Sequence, residues 1–193
     1  MSRLMKVKGM KKGDNSWMYA NTPSNDARFL LGQQLKKTGP TLICIGVNPS
    51  TAEPDDLDPT LARVRNRADD RDYARWVMLN LYPQRATDPN DMDEVCNIGW
   101  RRENLQKIAA LIDSLLLKGP IDIWCAWGNL IDKRPYLRSC LREIVELLLH
   151  RPGLHFLTFG KETKKGNPHH PLFLKRKLKA KKLSREDINR FLI

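Results

Sequence analysis

Four short apolar runs constrain this chain more than any other feature: residues 41–47 (TLICIGV), 76–81 (WVMLNL), 121–126 (IDIWCA) and 154–159 (LHFLTF). Each is mostly apolar rather than alternating, the pattern of a strand covered on both faces. Helix-like segments separate them, at residues 59–70, 101–117 and 137–149, the second with apolar positions Leu105, Ile108, Ala109, Ile112, Leu115 and Leu116. Alternation of strand and helix implies crossover connections and a parallel sheet. The expected class is α/β, a three-layer αβα sandwich around a central, mainly parallel four-stranded sheet. Gly39-Pro40, Gly119-Pro120 and Pro152-Gly153 fall just before strands, where a preceding helix has to have stopped.

A chain of 193 residues is the size of one domain, burying roughly 70% of its unfolded surface. Residues 26–193 read as that single α/β domain with a basic C-terminal segment. Residues 1–25 read as an N-terminal arm of weak periodicity, expected to be partly mobile, in which Trp17 and Tyr19 argue for some packing. Ser184 with Asp187 three residues on resembles a capping arrangement for a last helix over residues 184–192.

Lys and Arg number 34 against 22 Asp and Glu, a net charge of +12, which suits a polyanion better than a neutral metabolite. Nucleic acid, DNA first, is the expected partner. The basic residues cluster between Lys161 and Lys182, with a smaller group (Arg3, Lys6, Lys8, Lys11, Lys12) near the N-terminus. A solvated tail is the simpler alternative for the larger cluster. Cys44, Cys96, Cys125 and Cys140 form no CxxC pair, so no metal or disulfide framework is readable. No apolar stretch reaches the ~20 residues that span a bilayer. The expectation is a cytoplasmic monomer with no cofactor, no metal and no membrane partner.

Ligands of open parallel sheets bind beyond the carboxyl ends of the strands, so the four strand exits are where chemistry is to be read. The first exit is Gly46-Val47-Asn48-Pro49-Ser50, where glycine allows close approach and proline fixes a turn that aims Asn48 and Ser50. A plain strand-to-loop turn is the bland alternative. The second, Asn80-Leu81-Tyr82-Pro83-Gln84-Arg85, offers an amide, a flat ring and a guanidinium. Asn80 could equally cap backbone groups, and Arg85 could pair with Asp88 or Asp91. The third is Trp127-Gly128, where the tryptophan is either core or stacking platform. The fourth is a lysine-rich loop, Lys161, Lys164 and Lys165, running into His169-His170-Pro171-Leu172. Its histidine can enter a pocket while its lysines hold phosphates. Asp58, ahead of Pro59 and Thr60, is a helix cap or a general base. Arg63 and Arg67 follow on that helix as candidate backbone contacts.

The order of these exits resembles the uracil-DNA glycosylase superfamily, which carries a Gly-x-(Asp/Asn)-Pro turn after its first strand and a His-Pro segment after its last. Gly46 to Pro49 and His170-Pro171 match those motifs over about residues 41–174. The chain resembles more closely the domain-of-unknown-function family numbered sixteen forty-three. That family's pattern stands here as Asn48-Pro49-Ser50-Thr51-Ala52, Asp58-Pro59-Thr60, Asn80-Leu81, Arg85-Ala86-Thr87, Trp127-Gly128 and Gly166-x-Pro168-x-His170-Pro171. The superfamily resemblance implies that Asn48 positions water, as in the branch where Asn replaces the carboxylate. It also implies that Asn80 reads a base edge, His170 donates to a base carbonyl and Leu172 wedges into the duplex. No aromatic follows Pro49 at the expected place, and Leu172-Phe173 replaces the usual Ser-Pro, so the target base stays open.

Three functions therefore compete. The first is a glycosylase-like hydrolase of N-glycosidic bonds acting on a normal or modified base in DNA. The second is a non-catalytic nucleic-acid-binding module of the same fold. The third is an enzyme of free nucleotides with Arg63, Arg85 and Lys164 as its phosphate clamp.

Overall fold

A computed structural model describes residues 16–192. The four apolar runs form strands β3 (Thr41–Gly46), β4 (Arg75–Asn80), β5 (Ile121–Cys125) and β6 (Leu154–Phe159). They are parallel and contiguous in the order β4-β3-β5-β6. Helices α1 (Pro59–Asp69), α2 (Ile98–Leu116) and α3 (Tyr136–Leu149) fill the connections. Along β3 the side chains divide by parity, as a pleated strand requires. Leu42 and Cys44 pack with Leu61, Val64 and Ala68 of α1. Ile43 and Ile45, followed by Val47, pack with Ile108 and Ile112 of α2 and Leu137 and Leu141 of α3. Helices thus cover both faces, and every residue of β3 is buried.

The sheet has seven strands rather than four. Strands β1 (Trp17–Asn21) and β2 (Arg28–Gln34) pair antiparallel with each other, and β2 joins β4. Strand β7 (Ala180–Lys182) closes the opposite edge against β6. Their composition hides them: β7 is fully exposed Ala-Lys-Lys, and lysine is a residue that blunts a sheet edge. Tryptophan and tyrosine of the expected N-terminal arm do pack, since Trp17 meets Trp76 edge to face with centroids 6.3 Å apart. The N-terminal cluster Arg3, Lys6, Lys8, Lys11 and Lys12 lies outside the described residues.

Helix starts follow their caps. Asp58 accepts from the Leu61 N–H at 2.9 Å ahead of Pro59, a favourable N-cap and first-turn pair. Helix α2 begins at Ile98, a turn before the apolar periodicity, because the Asn97 side chain accepts from the Trp100 N–H at 3.1 Å. Helix α4 (Arg185–Arg190) carries the reciprocal Ser184–Asp187 capping box. Among the described residues no helix is long and apolar enough to cross a membrane.

From β3 the chain moves to one neighbour, β4, and then crosses to the other, β5. The carboxyl end of β3 is therefore the point where the strand order reverses, the usual place for a ligand crevice in such sheets.

Candidate functional site at the strand exits

The exits of β3 and β4 are stitched together. Asn48 Nδ2 donates to Ala86 O at 2.8 Å and Pro49 O at 3.0 Å, while the Ala86 N–H donates back to Pro49 O at 2.9 Å. The Ser50 and Thr87 hydroxyls share a hydrogen bond of 3.1 Å. Arg85 donates to Ser50 O, to Ala52 O at 3.3 Å and to the Tyr19 hydroxyl at 2.8 Å. Arg85-Ala86-Thr87 thus braces the Asn48-to-Ala52 loop, and Glu53 is its ion-pair partner at 3.7 Å. With Nδ2 committed, Asn48 has its Oδ1 left to accept from a ligand or water.

Asn80, the last residue of β4, is fully buried, and among the described residues neither atom of its amide has a hydrogen-bond partner. Buried amides are normally satisfied, so an unfilled one asks for an explanation. Gly46 sits opposite in register. A Cβ there would meet Met78 Cε at 2.5 Å and Asn80 Oδ1 at 3.3 Å, so glycine is what leaves the amide its space. From the other face Asn104 of α2 clamps this strand end, donating to Asn80 O at 2.9 Å.

Beyond β5, the Gly128 N–H donates to Pro168 O at 2.9 Å, and Gly128 takes φ +61 with His170 packed against it. Asn129 Oδ1 accepts from Thr163 at 2.7 Å and Asn167 at 3.1 Å, tethering the lysine-rich loop. His170 Nδ1 accepts from the Leu172 N–H at 3.4 Å. Burial pushes the ring down to about 4, with the Asp58 carboxylate offsetting part of the fall. A neutral ring that accepts at Nδ1 carries its hydrogen on Nε2, where it can donate. The same Asp58 carboxylate acts on Arg28, so one charge links the Arg28 side of this edge to His170. Thr60 lies in the first turn of α1 behind that cap.

Other expected site residues are placed differently. Trp127 is core, edge to face with Phe191 at 5.6 Å. Tyr82 is also fully buried, its hydroxyl accepting from the Asn97 N–H at 2.8 Å. Arg67 is buried with its guanidinium 4.3 Å from the Phe159 centroid and donates to Lys175 O at 2.9 Å. Arg63 points the same way, to Leu174 O at 3.4 Å. These two arginines serve the chain's own backbone. Lys161 and Lys164 are exposed, and Lys165 pairs with Asp132 at 3.3 Å. Pro171 is buried, while Leu172 and Phe173 are exposed beside His170. Arg28 and Asn104 lie in no motif that would have marked them, whereas Asn129 and Asn167 sit within the third and fourth exits without being singled out there. Among the described residues no group of three metal-ligating side chains occurs. Burial raises the Cys44, Cys125 and Cys140 thiols.

One family model matches, over residues 28–172, described as Protein of unknown function (DUF1643). The chain belongs to that family. No curated protein and no solved structure matches it. The DUF1643 span takes in all four strand exits and leaves out β1, β7 and α4. Within it, residues Asn48 to Ala52 and Arg85 to Thr87 form one hydrogen-bonded unit, while Gly128 bonds to Pro168 and packs against His170.

Proposed function

We propose that this DUF1643 protein is a glycosylase-like enzyme that recognises a base in DNA at the β3–β5 edge and hydrolyses its N-glycosidic bond. The observation that carries the reading is the fully buried, partnerless amide of Asn80 at the sheet edge where His170 packs against Gly128, its Nδ1 taken by the Leu172 N–H. A base edge presents mixed donors and acceptors, which an amide matches. As the glycosidic bond breaks, its electron pair moves onto the base. A neutral N–H donor stabilises the oxygen where that charge collects. Asn48 Oδ1, held by its own Nδ2 contacts, orients the attacking water, and the Asp58 oxygen not engaged by Leu61 accepts the proton. Leu172 and Phe173 stand at the rim where a duplex would be parted.

Incubation with single- and double-stranded oligonucleotides carrying uracil, hydroxymethyluracil or deaminated purines, followed by alkali, should give strand breaks at the base. Absence of product from every such base, or cleavage undiminished in Asn48→Ala, overturns the reading.

The exposed Lys161 and Lys164 favour a second reading, a binding module without turnover. It expects salt-dependent affinity and no product. The free-nucleotide reading draws less support, since Arg63 and Arg85 are held by main-chain carbonyls.

A further inference from the structure

Strand β2 carries a bulge. Its pairing with β1 steps from Ala20 opposite Leu30 to Asn21 opposite Arg28, skipping Phe29. The extra residue turns Phe29 toward α2, where Lys107 lies 5.2 Å from its ring. Arg28 is thereby placed on the same face as Leu31 and α1. Bulges beside functional sites re-aim side chains in this way. Arg28 Nη1 donates to Ala52 O at 2.8 Å in the loop after β3. Since β4 lies between β2 and β3, that reach crosses the end of β4, where Asn80 sits.

Arg28 is 1% exposed, yet among the described residues its Nε is buried without a hydrogen-bond partner, Nη1 being the nitrogen bonded to Ala52 O. The nearby carboxylates are engaged elsewhere: Glu53 with Arg85 and Asn25, and Asp58 with the cap of α1. A buried cation without a contacting anion is unfavourable unless a partner arrives. The Nε and Nη2 edge is the planar fork that fits two oxygens of one anion.

We propose that Arg28 anchors an oxyanion subsite, which takes a carboxylate or phosphate monoester of the ligand on its Nε and Nη2 edge beside the Asn80 amide. The inference goes beyond base excision: a chain that cuts no oligonucleotide still binds the anion, and one that cuts normally can still lack this subsite.

Titration calorimetry on the full chain decides it, with 5-carboxyuracil, uridine 5′-monophosphate, inorganic phosphate and neutral uracil as probes. At least one anionic probe should bind one to one and at least tenfold more tightly than uracil. Preference for carboxyuracil identifies an acidic base substituent, and preference for the monophosphate and phosphate a phosphoryl group. Arg28→Gln, which loses the charge, and Arg28→Lys, which loses the fork, should each weaken binding roughly ten- to hundredfold. Failure of every anion to outbind uracil in the wild-type chain overturns the subsite even if neither variant folds. So does anion binding that is unchanged in both variants, as attachment to surface lysines would give.

Discussion

Gly128 lies directly against His170: a Cβ on the glycine would stand 3.4 Å from the histidine Cβ. That distance is ordinary contact, so the strain of a substitution comes from the backbone, which holds φ +61. Gly128→Ala should therefore lower stability by about 1 kcal/mol, the usual penalty for a side chain in the left-handed region. Gly166 is the control, with φ +77 and nothing within 4 Å of its added Cβ. Urea unfolding should show similar losses for Gly166→Ala and Gly128→Ala. Only the second should alter ligand binding, and equal binding by both would detach Gly128 from the histidine.

The pH dependence of stability should carry the signature of His170. Its value falls from 6.5 to about 4 on burial, so between those limits the unfolded chain binds a proton that the folded chain refuses. The stabilisation is complete above pH 6.5 and is lost as pH falls to about 4. Comparing urea midpoints at pH 7 and pH 4.5, the wild type should lose more stability than His170→Asn. Parallel losses in the two would place the proton elsewhere.

The strand frame was legible because burial on both faces forces continuous apolar runs, and β3 to β6 have them. Strands β1 and β2 were hidden by their mixed polarity, and β7 by its lysines. The exits could be located from the sheet rule alone, and Asn48, Asn80 and His170 do stand at one edge. Arginine roles were not legible. Arg63, Arg67 and Arg85 read as surface cations, yet each donates to a main-chain carbonyl made available only by tertiary packing. Arg28 was invisible because a one-residue bulge, not its sequence neighbours, decides which face it takes.

Asn48 should be structural as well as chemical. Asn48→Ala removes the donations to Ala86 O and Pro49 O, a loss of about 1–2 kcal/mol. Asn48→Asp should cost more at neutral pH, because a carboxylate oxygen would replace the donor and face those two carbonyls. The expected order of unfolding midpoints at pH 7 is wild type, then Asn48→Ala, then Asn48→Asp. An aspartate variant as stable as wild type would show that Nδ2 does not hold this loop.

Nucleic-acid affinity should fall steeply with salt through the exposed lysines. Each phosphate contact adds about 0.9 to the slope of log K against log salt. Replacing Lys161, Lys164 and Lys165 together with Ala should lower that slope by up to about 2.7 if all three meet phosphates. The Asp132 pairing of Lys165 argues for a smaller change. An unchanged slope would remove this loop from the interface.

Arg67 should behave as core and not as a nucleic-acid contact. Its guanidinium lies 4.3 Å from the Phe159 centroid and 5.1 Å from the Trp124 ring, and burial lowers its pKa. Its hydrogen bond to Lys175 O fastens the segment after His170 onto α1, with Arg63 and Arg71 donating to carbonyls on either side. Arg67→Ala removes a charge-assisted bond and a packed side chain together, so the expected loss is about 2–4 kcal/mol in chemical denaturation. The salt slope for oligonucleotide binding should stay as in wild type, because an arginine facing two aromatic rings releases no counterions. A lowered slope with unchanged stability would instead place Arg67 on the nucleic acid.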